Sequence, residues 1–131
     1  MVGTQVTYLD THAVAALYQG DHRTVFSPLA LDALEQESDV RISPMVLLEL
    51  QYLYEIKRIR VPAARIVGSL AAEIGLKICD MPFPLVVQQA LEERWTRDPF
   101  DRLIVAQARA NGGALITRDR MMQRRYPHAI G

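Results

Sequence analysis

Two carboxylates three positions apart open the most informative stretch of the chain, Asp98-Pro99-Phe100-Asp101. Asp98 before Pro99 predicts a helix start, because an Asp side chain caps free N–H groups and proline fixes the φ of the first helical residue. Asp101 then lies in the first turn, on the same stripe as Val105, and so faces protein rather than open water. The spacing also suits an N-cap and its reciprocal partner. Both interpretations stay open.

Three further carboxylates occupy positions where they could either belong to a functional site or have only a structural role. Asp10 and Asp119 each end a short β-branched, apolar run. They are expected at the carboxyl ends of strands, where open parallel sheets form their sites, although each could simply cap the following helix. Glu49 lies in mid-helix beside apolar neighbours, where an ionised side chain is costly unless it meets a cation or reaches solvent.

These three acids and Asp101 would repel one another at one edge of a sheet, so the fold would need a cation among them. Carboxylate oxygens favour the hard ions Mg²⁺ or Mn²⁺ over zinc. Cys79 is the only cysteine, which excludes an intrachain disulfide and a thiolate metal site. Because Mg²⁺ keeps waters and binds substrate phosphates, the pattern indicates metal-assisted phosphodiester hydrolysis.

The elements that must position these acids alternate along the chain. Strands are expected at 6–9, 40–42, 76–79 and 114–117, and helices at 11–18, 27–37, 43–58, 62–74, 84–95, 98–111 and in the basic tail, with a turn at 20–22. This order predicts an α/β fold with a central parallel sheet sandwiched by helices, in one domain over residues 1–131. Asp10 would follow the first strand and Asp119 the last.

The composition is that of a globular protein. Half of the 131 residues are hydrophobic and 23% are charged. No apolar run reaches the roughly 18 residues that span a bilayer, and the N-terminus lacks the features of a signal peptide. We therefore expect a soluble, cytoplasmic chain that has no membrane partner.

Charge is distributed unevenly. Residues 1–50 carry seven acids and two bases, whereas residues 94–131 carry eight arginines and three acids. Thirteen of the fifteen cations are arginine, which suits bidentate contacts with phosphate or carboxylate. The asymmetry indicates a nucleic-acid or acidic partner, or else a solvated basic surface.

Four segments, spread over nearly the whole chain, carry a family resemblance. They are Tyr8-Leu9-Asp10-Thr11-His12-Ala13, Ser43-Pro44 with Leu47-Leu48-Glu49-Leu50, Asp98-Pro99-Phe100-Asp101-Arg102-Leu103-Ile104-Val105-Ala106-Gln107-Ala108, and Leu115-Ile116-Thr117-Arg118-Asp119. In this order they resemble the PIN domain family and, within it, the VapC-type toxins of toxin–antitoxin pairs. The segment at 98–103 is the most specific.

The resemblance implies a Mg²⁺- or Mn²⁺-dependent endoribonuclease that is a homodimer and has a small antitoxin as partner. Its metal-binding acids would be Asp10, Glu49, Asp101 and Asp119, with Asp98 as a nearby catalytic helper. Thr117 would supply a hydroxyl lining the site. Arginines expected to guide the RNA backbone are Arg102, Arg118, Arg120, Arg124 and Arg125, with a free basic tail as the alternative for the last two. A non-catalytic RNA- or protein-binding domain on the same scaffold is the alternative.

The chain departs from the pattern of the family that it resembles just before Asp98. Related toxins often carry one or two histidines there, whereas this chain has Trp95-Thr96-Arg97. Trp95 is expected to be half-buried at a helix end, with stacking on a base as the alternative. His12 is expected to be structural, because it lies on an apolar helix.

The helix that carries Glu49 is apolar almost all round. Such a helix needs more than one buried face, so Tyr52, Leu53 and Ile56 are expected to meet a protein partner. The alternative is a helix buried wholly within the domain.

Overall fold

A single parallel sheet organises the domain. The structure, a computed structural model, describes residues 6–20, 25–36 and 39–131. Within them, the strands are β1 (Thr7–Leu9), β2 (Val40–Ile42), β3 (Lys77–Ile78), β4 (Ala114–Ile116) and β5 (Ala129–Ile130). They pair in the order β3-β2-β1-β4-β5, every neighbouring pair parallel. The predicted α/β class with a central parallel sheet is confirmed.

Seven helices in the described residues flank this sheet. They are α1 (Thr11–Gln19), α2 (Pro28–Gln36), α3 (Pro44–Glu55), α4 (Ala63–Ile74), α5 (Phe83–Ala90), α6 (Pro99–Ala110) and α7 (Arg120–Arg125). Helices α1, α3 and α4 pack on one another, and α6 contacts α3 and packs along α5. Among the residues that the structure describes, each helix is too short or too polar to cross a bilayer.

Two helices end earlier than the pattern predicts. Helix α3 stops at Glu55 rather than Arg58, because Lys57 takes the left-handed conformation with φ 65°. Helix α5 stops at Ala90, because the following turn carries the Glu93 side chain into the interior. The predicted turn at 20–22 and the end of the helix at 27–37 extend into residues outside the described ranges.

The sequence pattern also misses β5, the last strand. This strand has only two residues, too short to display an alternation, and it pairs with β4 through Leu115–Ala129 and Ile116–Ile130. We expected Asp119 to follow the last strand, but it follows the fourth. Because β4 pairs with the central strand β1, Asp119 lies beside the centre of the sheet.

The order of the strands creates a crevice beside β1. From β1 the chain builds β2 and β3 on one side, and it then crosses to build β4 and β5 on the other. Ligand sites of open α/β sheets form at such a reversal, at the carboxyl ends of the strands. The Asp10 N–H continues the β1–β4 pairing with a 3.2 Å hydrogen bond to the Ile116 carbonyl. Residues that follow β1 and β4 are thus adjacent.

The core around β1 is tightly packed. Leu9, Ile42 and Leu50 are fully buried. Gly113, just before β4, lies so near β1 that a Cβ atom there would come within 2.7 Å of the Val6 carbonyl oxygen and 2.9 Å of the Tyr8 ring. Only glycine allows this approach of the two central strands.

Candidate active site

Five carboxylates line one cleft of about 180 Å³ at the carboxyl ends of β1 and β4. They are Asp10, Glu49, Asp98, Asp101 and Asp119, and we call the space between them the acidic cleft. Its remaining walls come from Thr11, His12, Ile104 and Met122. The structure thus brings together all five acids that the sequence singled out, from segments far apart along the chain.

Three of the acids are N-caps as well as cleft residues. Asp10 Oδ1 accepts a 2.9 Å hydrogen bond from the Ala13 N–H at the start of α1. Asp98 Oδ1 accepts 2.8 and 3.2 Å bonds from the Phe100 and Asp101 amides of α6. Asp119 Oδ1 accepts bonds of 2.8 and 3.0 Å from the Met121 and Met122 amides of α7. Capping and chemistry are therefore compatible, because each cap uses one carboxylate oxygen.

The second oxygens of Asp98 and Asp119 accept no hydrogen bond from any described residue. The reciprocal half of the predicted capping pair is also absent from the described contacts, because the Asp98 N–H donates to Thr96 Oγ1 at 3.1 Å and not to Asp101. The Asp101 carboxylate therefore has no capping role among the described contacts and faces the cleft. Oxygens held on one side and unshared on the other are suited to bind a cation.

Thr117 supports two acids from behind. Its hydroxyl donates a 2.5 Å hydrogen bond to Asp10 Oδ2 and accepts one of 3.0 Å from the Asp119 N–H. Because Thr117 is 0% exposed, the prediction that its hydroxyl lines the site is wrong. Burial raises the pKa of Asp10, while the bonds from Thr117 and the Ala13 amide lower it.

Glu49 is held by a residue of the neighbouring helix. It is half-buried on α3, and its Oε1 accepts a 2.5 Å hydrogen bond from Thr11 Oγ1 on α1. This bond explains how an ionisable side chain is tolerated on an apolar stripe. Thr11 thus orients the Glu49 carboxylate by a hydrogen bond, as Thr117 orients that of Asp10.

The pKa of Asp101 shows how strongly the five acids repel one another. This pKa is raised to about 7, first by burial and then by the charges of the other four acids, Asp98, Asp119, Glu49 and Asp10. None of the ion pairs found between described residues includes an acid of the cleft. The five carboxylates therefore lack a compensating Lys or Arg in the described part of the chain.

The donor set fits a hard divalent cation. All five groups offer oxygen, the ligand that Mg²⁺ and Mn²⁺ prefer. Within residues 6–20, 25–36 and 39–131, no three acidic, His or Cys side chains are arranged to enclose an ion by themselves. An ion here would thus take further ligands from water or phosphate, which is the usual habit of Mg²⁺.

The arginines predicted to guide RNA do not line this cleft. Arg102 binds the carbonyls of Ala90 and Leu91, at 3.1 and 3.5 Å from Nη2, and so fastens α6 to the end of α5. Its guanidinium is thereby committed, which argues against the predicted substrate contact. Arg118 donates to the Val25 carbonyl. Arg120 is exposed at the start of α7, where its role stays a prediction.

His12 was misjudged from the sequence. It is exposed and lines the acidic cleft, and its interaction with Asp10 offsets part of the rise in the Asp10 pKa that burial causes. The available signal was its position two residues after Asp10, in the first turn of a helix that starts at the site. Trp95 is half-buried as expected, and its Nε1 donates a 2.9 Å bond to Glu93.

The residues predicted to meet a protein partner divide into two groups. Tyr52 and Ile56 are 49% and 45% exposed, and Leu48 on the same stripe of α3 is 54% exposed. Leu53 is partly buried. Tyr52 also stacks on Phe100 of α6, with ring centroids 6.2 Å apart. An apolar stripe therefore stays open on α3, and the helix is not wholly buried.

The fold and the acidic cleft define a PIN domain. The chain matches the PIN domain family over residues 7–127 and belongs to that family. No curated protein sequence matches the chain.

Solved structures with the same fold include three bacterial assemblies. A chain of "VapBC2 from Rickettsia felis bound to a DNA fragment from their promoter" superposes with a TM-score of 0.64 at 20% identity, covering 95% of this chain and 96% of that one. A "toxin-antitoxin complex from Klebsiella pneumoniae" gives 0.67 and 20%, with the same coverage. "DNA bound VapBC from Salmonella typhimurium" gives 0.62 and 16%, covering 96% of both chains.

Proposed function

We propose that this PIN domain is a metal-dependent endoribonuclease and the toxin of a VapC-type toxin–antitoxin pair. One observation carries the proposal: five carboxylates without a compensating Lys or Arg among the described residues meet at the carboxyl ends of β1 and β4. Such a cluster is costly unless a divalent ion binds it. The toxin–antitoxin assemblies that share the fold support the biological setting.

Asp10, Glu49, Asp101 and Asp119 would hold Mg²⁺ or Mn²⁺, with Asp98 beside them. When bound, the ion would supply positive charge at the scissile phosphate and lower the pKa of the attacking water. Hydrolysis would break the P–O3′ bond and leave a 5′-phosphate on one fragment and a 3′-hydroxyl on the other. The reaction adds one water for each bond that is cut.

The chain's own groups would fix this arrangement. Thr117 orients Asp10, and Thr11 orients Glu49, each by a 2.5 Å hydrogen bond. Burial and the charges of the other four acids raise the pKa of Asp101 to about 7, and positive charge in the cleft would favour its ionised form. His12 at the rim is placed to contact substrate that enters the acidic cleft.

The same proposal includes two protein contacts. We expect a cognate antitoxin and a second copy of this chain as partners, and we expect the toxin to act in the cytoplasm. The open stripe of Leu48 and Tyr52 on α3, continued by Ile56 just after the helix, is the surface that we assign to the second copy.

The test is cleavage of defined RNAs by the purified chain in Mg²⁺, in Mn²⁺ and in EDTA. We expect cleavage only with metal, and a loss of at least a hundredfold in Asp101→Asn and Asp10→Asn. Asp32→Asn is the matched control, since Asp32 is exposed on α2 and bonds only to Gln36 among the described contacts. RNA that is bound but never cut would favour the non-catalytic alternative.

A further inference from the structure

A second cavity, of about 330 Å³, lies between α1 and the segment that follows α3. Its floor is aliphatic, formed by Ala15, Ile59 and Ile66, and the half-buried ring of Tyr18 lines it. A cavity of this size is at the lower end of those that take small ligands. An apolar floor with an aromatic wall is suited to the face of a flat ring.

The rim of this cavity is cationic. Arg58 and Arg60 line it, both are exposed, and neither guanidinium makes a hydrogen bond or ion pair with any described residue. Residues 57–65 carry four bases and no acid. Glu55, the nearest acid in sequence, accepts a bond from Gln51. We call this cavity the arginine-rimmed pocket.

Helix α1 runs from the acidic cleft to the arginine-rimmed pocket. Thr11 lines the cleft, while Ala15 and Tyr18 line the pocket. Positions i, i+4 and i+7 form a single stripe of a helix. At 1.5 Å per residue, Thr11 and Tyr18 are ~10 Å apart along the axis, which a short stretch of a nucleic-acid strand spans.

The acidic cleft by itself disfavours its proposed substrate. Five carboxylates and no Lys or Arg line it, so a polyanionic strand is repelled on either side of the one phosphate that a divalent ion attracts. Affinity for the strand must then come from cations elsewhere on the surface. Arg58 and Arg60 have no partner among the described residues, and they line a pocket at the far end of α1 from the cleft.

We propose that the arginine-rimmed pocket binds one nucleotide of the single-stranded RNA substrate, a few nucleotides away from the scissile bond. The base lies on the aliphatic floor against Tyr18, and its phosphate contacts Arg58 and Arg60. Gln19, also in the lining, offers an amide to the edge of the base. This inference rests on the proposed function, because it assigns a subsite to that substrate.

The test uses a fluorescein-labelled 12-nucleotide RNA and the Asp101→Asn chain, which we expect not to cut it. Arg58→Ala/Arg60→Ala is compared with Lys77→Ala/Arg94→Ala, which removes the same charge from other exposed positions. We expect Kd to rise at least tenfold in the first pair and less than twofold in the second. The slope of log K against log salt should fall by about 0.7 in the first pair, which is the value for one lost phosphate contact on a single strand.

Crosslinking locates the strand independently. RNA containing 4-thiouridine, irradiated on the same chain, should give crosslinked peptides from 15–19 or 58–61. Crosslinks elsewhere only, or equal losses of affinity in both charge pairs, would overturn the proposal. So would unchanged RNA binding in Arg58→Ala/Arg60→Ala combined with loss of binding to the antitoxin, which would assign the pocket to a protein segment.

Failure of the inference can be separated from failure of the proposed function. If the unmodified chain cuts RNA but Arg58→Ala/Arg60→Ala binds the 12-mer normally, only the pocket assignment fails. If no RNA is cut in Mg²⁺ or Mn²⁺ but binding still depends on these two arginines, the nuclease assignment fails and the pocket remains.

Discussion

Thr117 donates its hydroxyl proton to Asp10 over 2.5 Å, although 107 positions separate the two residues. The bond crosses the two central strands at their carboxyl ends. Because the other Asp10 oxygen is bound by the Ala13 amide, both oxygens of this acid are fixed in direction. A catalytic carboxylate held in this way needs no reorganisation when a cation or substrate arrives.

Thr117→Val should therefore impair activity while keeping the shape of the core. We expect cleavage and metal affinity to fall about 10- to 100-fold, as is usual when a group that orients a ligand is lost. Since the Thr117 bond lowers the pKa of Asp10, its loss should also move the acid limb of the pH profile to higher pH. Thr117→Ser keeps the hydroxyl and should restore most activity. Equal activity in both variants would contradict this role.

Asp101 should make the metal-free protein less stable as pH rises. Its folded pKa of about 7 lies above the ordinary value of 3.8. The folded state therefore binds more protons than the unfolded state between these values, and the free energy of unfolding falls as pH rises from about 4 to 7. Asp101→Asn should raise Tm at pH 8 by roughly 3–10 °C and have little effect at pH 4. Thermal melts in EDTA measure this, with Asp32→Asn as the unchanged control.

Divalent ions should offset the loss of stability that ionised Asp101 causes, and the effect should depend on pH. Protons compete with the metal for Asp101, so Mg²⁺ should raise Tm more at pH 8 than at pH 5.5. The measurement is a Mg²⁺ titration followed by thermal melting at both pH values. In Asp10→Asn/Asp101→Asn the gain should disappear at both. An equal gain in this double variant would mean that the ion binds elsewhere.

The sequence predicts the site better than it predicts the edges of the fold. Asp-Pro and Ser-Pro start signals locate α3 and α6, and strand-end acids locate the cleft, because capping and strand ends depend on local chemistry. The early end of α5 depends on Glu93 meeting Arg109, 16 positions away, over 2.7 Å. No local pattern contains that contact.

The same limit explains which site residues were assigned wrongly. The role of Thr117 was taken from the family resemblance, and His12 was interpreted from the apolar residues of its helix. The burial of Thr117 behind Asp10 and the exposure of His12 at the cleft are properties of the packed domain, which neither source contains. Arg102 was assigned to RNA by its charge, whereas its carbonyl partners Ala90 and Leu91 become apparent only once α5 and α6 pack together.

The open stripe on α3 should control self-association. Leu48 and Ile56 are 54% and 45% exposed, so a charge at either position costs the monomer little but would be buried without a partner in an interface. Leu48→Glu/Ile56→Glu should convert a dimer to a monomer in light scattering at micromolar concentration. Leu29→Glu is the matched control, since Leu29 is 66% exposed on α2. A monomeric unmodified chain would contradict the assignment.

Arg109 should be the cation on which stability depends most. It bonds to Glu93 at 2.7 Å, to the Arg125 carbonyl at 3.0 Å, and lies 5.0 Å above the Tyr126 ring. Glu93 is 3% exposed, so Arg109→Met leaves a buried charge unpaired and should cost about 3–5 kcal/mol, measured by urea denaturation.

The reverse change should be milder, because the Arg109 side chain is 33% exposed and can be hydrated when its partner is neutral. Glu93→Gln should therefore cost less than Arg109→Met. Arg94→Met is the surface control: its pair with Glu92 is 3.7 Å long, both side chains are more than half exposed, and the change should cost about 1 kcal/mol or less. If Arg94→Met and Arg109→Met lower the free energy of unfolding equally, the burial of Glu93 does not explain the contribution of the Arg109–Glu93 pair to stability.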